Sequence, residues 1–242
     1  MLTYYKALNR MGITSDLVDP TTDLSSYKLV IAPSMAMVND QIYNNFKKYV
    51  ESGGHLIIGA RSGMKTWANT TTDSPWPGLF AELAGIEIDE FEVLPNRYMN
   101  TITYNGRDYD VKIWLDMLEP KTAESLAIYN KKFYAGRTAI SRNTYGRGIV
   151  YYVGVMGNDE LASDLLYDMV RACNLNPIRL PKGVYLSSRV NENKRYTFYI
   201  NRSNQTAHVH IQERGYDILN RKSVYGKVQL NGLDVLILQT DL

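Results

Sequence analysis

The sequence predicts an α/β domain built on a doubly wound parallel sheet, followed by a small all-β domain of the antiparallel sandwich type. Two largely apolar runs, 29–32 and 55–59, have the composition of strands that are buried on both faces of a parallel sheet. An amphipathic helix is predicted between them, which completes a βαβ unit. After residue 183 the hydrophobic period changes to two, which indicates antiparallel strands.

The helix between the two runs is predicted to begin after Asn39, whose side-chain oxygen can accept a hydrogen bond from the first turn. Its apolar residues recur at i, i+4 and i+8, namely Ile42, Phe46 and Val50. The glycine pair at 53–54 ends the helix, because glycine tolerates the left-handed conformation that follows a helix.

The other predicted elements of the first domain are a strand at 13–18, a short helix between Pro77 and Gly85, strands at 98–104, 109–114, 126–129 and 149–154, a hairpin turn at 145–148, and a helix from Asn158 or Asp159 to Ala172. Strands at 185–190, 195–201, 207–211, 227–230 and 235–238 are predicted in the second. Pro177 and Pro181 mark a linker at 174–182, so the predicted domains are 1–173 and 183–242.

The composition narrows the class of protein. The 242 residues carry 27 Lys and Arg against 25 Asp and Glu, and this balance argues against nucleic acid or an anionic membrane as the main partner. The single cysteine, Cys173, excludes an internal disulfide and a multi-cysteine metal site. No apolar run approaches the roughly 20 residues of a membrane span, and the first residues do not resemble a signal peptide. A cytoplasmic location is therefore expected.

The turn from Gly59 to Gly63 could present a nucleophile at the end of a strand, as in class I glutamine amidotransferases. That chemistry needs a thiolate and an activating histidine, and the turn contains no cysteine. A stand-alone hydrolase that uses Ser62 with a remote histidine stays open as an alternative. The favoured interpretation is a structural turn in which Arg61 pairs with an acidic neighbour.

Two pairs of carboxylates occur at a spacing of two residues, Glu87 with Asp89 and Asp108 with Asp110. On a strand this spacing places both side chains on one face with Cα atoms about 6.5–7 Å apart, which overlaps the carboxyl separation of an inverting glycosidase. The favoured interpretation is an exposed strand face that carries like charges in water.

Metal and ligand sites have little support in the sequence. His208 and His210 could chelate a metal from one strand face, although solvent-facing positions are the simpler interpretation. No glycine-rich phosphate-binding motif is present, so no cofactor is predicted. Trp67 and Trp76 lie in a long loop, 62–77, and could stack on sugar rings, which leaves a carbohydrate-binding module as an alternative to a protein interface.

Several short segments follow one another in a characteristic order: 4–8, 12–13, 16–18, 24–33, 46–54, 59–63, 77–86, 90–91, 145–148 and 150–154. This order resembles the trimerisation domain of family 42 glycoside hydrolases, the bacterial β-galactosidases, and the last 60 residues resemble the small C-terminal β-domain of that family. The resemblance implies an amidotransferase-like, flavodoxin-like fold without amidotransferase chemistry.

In that family, catalysis by two glutamates belongs to an N-terminal (β/α)₈ barrel, which no part of this chain resembles. The resemblance therefore implies no catalytic, cofactor-binding or metal-binding residues in this chain. It implies a non-catalytic portion of an enzyme that hydrolyses terminal β-D-galactosides. The implied partners are further copies in a homotrimer, or a catalytic barrel polypeptide.

In the family pattern a strand and the start of a helix precede the segment 4–8. We therefore expect the first domain to lack its first strand, and the chain to be the tail of a longer or split polypeptide that needs this strand or a substitute. Each buried side chain of such a strand contributes about 1.5–3 kcal/mol, which is large beside a domain stability of about 5–15 kcal/mol.

Overall fold

The computed structural model describes residues 1–242, which form two compact units. The first unit comprises residue 1 and residues 18–161, and the second comprises residues 2–17 and 162–242. No helix combines the length and the apolar character needed to cross a membrane.

The first unit is organised around a nine-stranded mixed sheet with the order β1-β2-β8-β7-β6-β4-β5-β3, to which β9 is added beside β5. Its strands are β1 (Leu29–Ala32), β2 (His55–Gly59), β3 (Ile86–Val93), β4 (Asn100–Tyr104), β5 (Arg107–Pro120), β6 (Glu124–Tyr129), β7 (Thr138–Tyr145), β8 (Gly148–Val153) and β9 (Val155–Met156). Its helices are α2 (Asp40–Glu51) and the short α3 (Phe80–Ala84).

The parallel part of this sheet is confirmed where the sequence predicted it. Strand β2 pairs in parallel with β1 on one side and with β8 on the other. Helix α2 begins at the predicted cap, because the Asn39 side chain accepts from the Ile42 backbone N–H at 2.9 Å. Phe46 and Val50 of α2 are buried in the apolar cluster that covers one face of the parallel strands.

The rest of the sheet is antiparallel, so the parallel arrangement covers only β1, β2 and β8. Strand β5 extends well beyond the predicted 109–114, since residues 114–118 are also buried and pair with β3. The predicted strand at 13–18 is wrong: these residues form no ladder, so their β-type pattern has no neighbour with which to pair.

The second unit contains α1 (Leu2–Arg10), the part of α4 (Asp159–Ala172) from residue 162 onward, and a five-stranded antiparallel sheet. The strands are β10 (Val184–Asn191), β11 (Lys194–Asn201), β12 (Ala207–Asp217), β13 (Lys222–Leu230) and β14 (Val235–Asp241), in the order β10-β11-β14-β12-β13. The five predicted strands are confirmed, with wider bounds than predicted.

The predicted two-sheet sandwich is corrected to one continuous sheet. Strands β12 and β14 pair only at Tyr216 and Asp217, so this short ladder joins β12 and β13 to the other three strands. Side chains from both parts, including Val209 and Leu236, nevertheless share one apolar cluster. The hydrophobic period of two residues predicts which side chains are buried. The junction between β12 and β14 depends instead on a few backbone hydrogen bonds, which the sequence pattern does not reveal.

Asn201, at the end of β11, joins several backbone segments of the second unit. Its side-chain NH₂ donates to the carbonyl oxygens of Gln205, Leu230 and Asn231 at 2.8, 3.3 and 2.8 Å. Its side-chain oxygen accepts from the Ser203 backbone N–H and hydroxyl. Because Asn201 is almost fully buried, these bonds satisfy polar groups that water does not reach.

Replacing Asn201 by Ala is expected to lower the free energy of unfolding by about 1–3 kcal/mol, because buried carbonyl groups lose their donor. Urea denaturation followed by circular dichroism measures this change. The matched control is Asn193→Ala in the exposed β10–β11 turn, which should change the free energy by less than about 0.5 kcal/mol. Equal effects of the two substitutions would contradict a structural role for Asn201.

Candidate functional site

The turn that follows β2 is largely buried in the first unit. Arg61 has a left-handed backbone with φ of 68°, and the next residue, Ser62, is fully buried. The Ser62 hydroxyl donates to the Gly59 carbonyl at 2.7 Å and accepts from the Met35 backbone N–H at 3.0 Å. This hydroxyl is thus part of the hydrogen bonding that shapes the turn, and no histidine is among its partners.

A buried carboxylate, Asp116 of β5, holds this turn to the neighbouring strands. Its two oxygens accept from the Trp114 indole N–H at 2.6 Å, the Tyr152 hydroxyl at 3.0 Å and the Arg61 backbone N–H at 3.2 Å. The Tyr129 hydroxyl donates to the Asp116 backbone carbonyl at 2.9 Å. Burial raises the pKa of Asp116, and the hydrogen bonds from Trp114, Arg61 and Tyr152 oppose that rise.

The Arg61 side chain begins a row of stacked groups, which we call the aromatic row: Arg61, Trp114, Phe91 and Trp76. The guanidinium carbon lies 4.6 Å from the centre of the Trp114 ring. Trp114 stacks on Phe91 with ring centres 4.4 Å apart and planes 8° from parallel, and Phe91 meets Trp76 at 5.3 Å. The Arg61 guanidinium group thus stacks on Trp114, and the hydrogen bond from Arg61 to a carboxylate, that of Asp116, comes from its backbone N–H and not from the side-chain pairing that the sequence suggested.

An open cleft of about 530 Å³ lies at the Trp76 end of the aromatic row. It is lined by Asp73, Ser74, Pro75, Trp76, Ile88, Asp89, Glu90 and Phe91. Aromatic rings beside carboxylate oxygens can stack on a sugar ring and accept hydrogen bonds from its hydroxyl groups. Trp67 does not line this cleft, and its side chain is largely exposed.

The first predicted carboxylate pair is divided between two cationic partners. Glu87 lies 3.0 Å from the Lys121 ammonium group, whereas Asp89 accepts from Arg137. The ladder between β3 and β5 is irregular between Ile88 and Glu90, so Asp89 does not continue the simple alternation that the spacing implied. Both carboxylates are about half exposed, which agrees with a charged strand face in water.

The second predicted pair, Asp108 and Asp110, lies on β5 opposite β4. Asp108 accepts from the Thr103 hydroxyl at 2.6 Å and from the Asn130 side-chain N–H at 3.1 Å. Asp110 accepts from the Thr101 hydroxyl at 3.4 Å. These contacts link neighbouring strands, and they give the two carboxylates a structural use.

The remaining candidates lie in the second unit. His208 and His210 are exposed on one face of β12, and no group of three or more His, Cys, Asp or Glu side chains in residues 1–242 is arranged to hold a metal ion. Cys173 is buried and forms no disulfide.

The sequence does not predict the hydrogen-bond network around Asp116. Tyr129 and Tyr152 are two of 19 tyrosines, and nothing in the sequence distinguishes them from tyrosines that only fill space. The one available signal was Asp116 itself, an acidic residue between the apolar residues Leu115 and Met117. A charge inside an apolar run suggests a buried carboxylate with several donors.

Comparison with known families and proteins identifies the chain. The family profile described as "Beta-galactosidase trimerisation domain" matches residues 1–176, and the profile "Beta-galactosidase C-terminal domain" matches residues 183–240. The β-galactosidase BgaA of Clostridium cellulovorans is 32% identical over 96% of this chain and 36% of its own length. BgaB of a Geobacillus species is 30% identical over 98% of this chain and 36% of its own length.

A comparison with solved structures agrees with these family matches. The crystal structure of a β-galactosidase from Bacillus circulans sp. alkalophilus superposes on 98% of this chain and 36% of its own, with a TM-score of 0.92 and 28% identity. The chain thus contains an oligomerisation domain of a glycosidase. It belongs to the β-galactosidase trimerisation-domain family and corresponds to the trimerisation and C-terminal domains of the family 42 enzymes. It spans 36% of the length of these relatives.

Replacing Asp116 by Asn is expected to lower the free energy of unfolding by about 1–3 kcal/mol, because the new NH₂ group faces buried donors in place of an acceptor. Urea denaturation measures the change, and Asp73→Asn, on an exposed loop, is the matched control. A loss no larger than that of Asp73→Asn would contradict the role given to Asp116.

The contribution of Asp116 to the free energy of unfolding should decrease as the pH rises. The folded state binds the Asp116 proton more tightly than the unfolded state, because burial raises the pKa above its ordinary value of 3.8. The stability contributed by this group is therefore complete below pH 3.8 and falls as the pH rises to the raised pKa. The difference between the wild type and Asp116→Asn should narrow over this interval, and a constant difference would contradict the raised pKa.

Proposed function

We propose that this chain is the non-catalytic oligomerisation and C-terminal portion of a cytoplasmic β-galactosidase that hydrolyses terminal β-D-galactosides. Its chemistry would reside in a (β/α)₈ barrel that belongs to the part of the relatives this chain does not span. The proposed partners are further copies of the chain in a homotrimer, and the catalytic region.

The observation that carries this proposal is the match of two domain profiles in order along nearly the whole chain, at 1–176 and 183–240. The structure supports it in a second way. The carboxylates that the sequence offered for catalysis are bound to lysine, arginine, hydroxyl or amide groups rather than paired with each other.

We also propose an amidotransferase-like, flavodoxin-like origin for the first domain, and the domain bounds that the sequence predicts. The parallel strands β1, β2 and β8, with α2 between the first two, support an amidotransferase-like, flavodoxin-like origin of the first domain. The bounds 1–173 and 183–242, with a linker at 174–182, remain a proposal. The profile limits at residues 176 and 183 support them.

The oligomeric state tests the proposal directly. We expect the purified chain to sediment with three times the mass of one chain, because an oligomerisation domain carries its contacts with it. Sedimentation equilibrium over a wide concentration range measures this mass. A chain that stays monomeric at every concentration would contradict the proposed trimer.

The same preparation should not hydrolyse a chromogenic β-galactoside. Replacing Ser62 by Ala is the control for the alternative in which the turn from Gly59 to Gly63 acts as a hydrolase. Hydrolysis of a galactoside, amide or ester that persists on repurification and disappears in Ser62→Ala would contradict the non-catalytic assignment.

A second candidate function, carbohydrate binding, is favoured by the cleft at the end of the aromatic row. We propose that Trp76, at the end of the aromatic row, stacks on a sugar ring while Asp73 and Glu90 accept from its hydroxyl groups, since these side chains line one cleft. Of the two tryptophans in the 62–77 loop, only Trp76 lines this cleft.

Titration with lactose should change the tryptophan fluorescence of the wild type and of Trp67→Ala equally. The same titration should leave Trp76→Ala unchanged, because the ring that would stack on the sugar is removed. Trp67→Ala is the matched control, since Trp67 lies on the same loop but is largely exposed. A response that survives in Trp76→Ala would contradict binding at this cleft.

A further inference from the structure

The cleft beside Trp76 is lined by hydrogen-bond acceptors far more than by donors. Three of its side chains are carboxylates, those of Asp73, Asp89 and Glu90, and an ionised carboxylate only accepts. The lining contains no amide, imidazole, ammonium or guanidinium group, and its side-chain donors are the Ser74 hydroxyl and the Trp76 indole N–H. Because the hydroxyl groups of a neutral sugar accept as well as donate, this lining suits a ligand that is richer in donors.

The carboxylates of the cleft also outnumber the cations that contact them. The Arg137 guanidinium group donates to Asp89 and lies 3.8 Å from the Glu90 carboxylate, so two carboxylates share one cation. Asp73 is exposed and forms no ion pair within residues 1–242. The side chains of Asp89 and Glu90 are each 51% exposed, so a ligand in the cleft can reach them. The cleft therefore carries negative charge that a cationic ligand can neutralise.

The aromatic row presents an indole ring at the same place. Phe91 already contacts two rings, those of Trp114 and Trp76, and Trp76 is the last ring of the row. At the other end of the row, the Arg61 guanidinium carbon lies 4.6 Å from the centre of the Trp114 ring. Indole is the aromatic side chain that attracts cations most strongly. The row thus holds a cation of the chain on one indole and leaves the second indole beside the carboxylates.

The backbone fixes the two sides of the cleft relative to each other. The Ile88 backbone N–H donates to the Trp76 carbonyl at 2.7 Å, which joins the loop to β3. The bulge between Ile88 and Glu90 adds Asp89 to the strand beside the cleft, as bulges do where a strand re-aims its side chains. The volume of about 530 Å³ is that of a small-molecule site.

We propose that this cleft binds an amino sugar, whose protonated amine lies over the Trp76 ring and donates to Asp73 and Glu90. A primary ammonium group offers three donors and no acceptor, which matches the lining, and its charge matches both the carboxylates and the indole. The choice of a sugar rests on the carbohydrate-binding function proposed above. The positive charge of the ligand rests on the side chains of the cleft alone.

Isothermal titration calorimetry of the full chain tests the proposal, at a mildly acidic pH where the amine is protonated. The ligands are D-galactosamine, D-galactose and N-acetyl-D-galactosamine. Galactosamine should bind about tenfold more tightly than either of the others, because it adds charged hydrogen bonds and a cation–π contact. N-acetylgalactosamine is the matched control, since acetylation removes the charge and keeps the ring. Added salt should weaken the binding of galactosamine and leave that of galactose unchanged.

Three variants place the effect in the cleft. Asp73→Asn should reduce the preference for galactosamine over galactose severalfold, because it removes a charge and keeps an acceptor oxygen. Asp40→Asn, at an exposed position that does not line the cleft, should leave the preference unchanged. Trp76→Ala should abolish binding, and circular dichroism establishes that it is folded. If it is not folded, Trp76→Phe keeps an aromatic ring and should weaken the binding of galactosamine.

Different results overturn different parts of the inference. Equal affinity for galactosamine and galactose contradicts the cationic ligand and leaves carbohydrate binding at the cleft intact. No binding of any of the three sugars contradicts both. Propylamine, which has the ammonium group without a sugar ring, is the last control, and propylamine that binds as tightly as galactosamine overturns the assignment to a sugar. A preference for galactosamine that persists in Asp73→Asn and in Trp76→Phe contradicts the location.

Discussion

The pairing of β2 on both of its edges is the constraint on which the first unit depends. With β1 on one side and β8 on the other, the chain that leaves β2 passes directly beside the chain that leaves β1. A Cβ atom on Gly59 would lie 2.0 Å from the Pro33 carbonyl oxygen, so only glycine fits this position. The turn that follows is thereby fixed, and Ser62 and Asp116 complete its hydrogen bonding.

Much of this framework could be predicted from local patterns because its causes are local. Asn39 caps α2 through its own side chain, and the apolar spacing of the helix matches its buried face. The strand predicted at 13–18 fails for the opposite reason, since a strand exists only when another strand pairs with it. The β-type composition of those residues does not show whether a second strand lies beside them, and within residues 1–242 no strand pairs with them.

The site was harder to predict than the fold, because its members are brought together by the sheet. Asp116 and Tyr152 are 36 residues apart, and they meet because β5 and β8 belong to one folded unit. Glu87 and Asp89 show the reverse case: they are close in sequence, yet one binds Lys121 and the other binds Arg137. Spacing along a strand predicts which side chains lie on the same face, but it does not predict which group each of them binds.

The two edges of the first sheet carry different kinds of side chain, acidic at β3 and apolar at β1. At β3, four carboxylates make backbone pairing with another strand unfavourable, because the approaching strand would have to desolvate them. At β1, no charge opposes an incoming strand, and three apolar side chains are only half-buried. The two edges of this sheet therefore differ in both charge and burial.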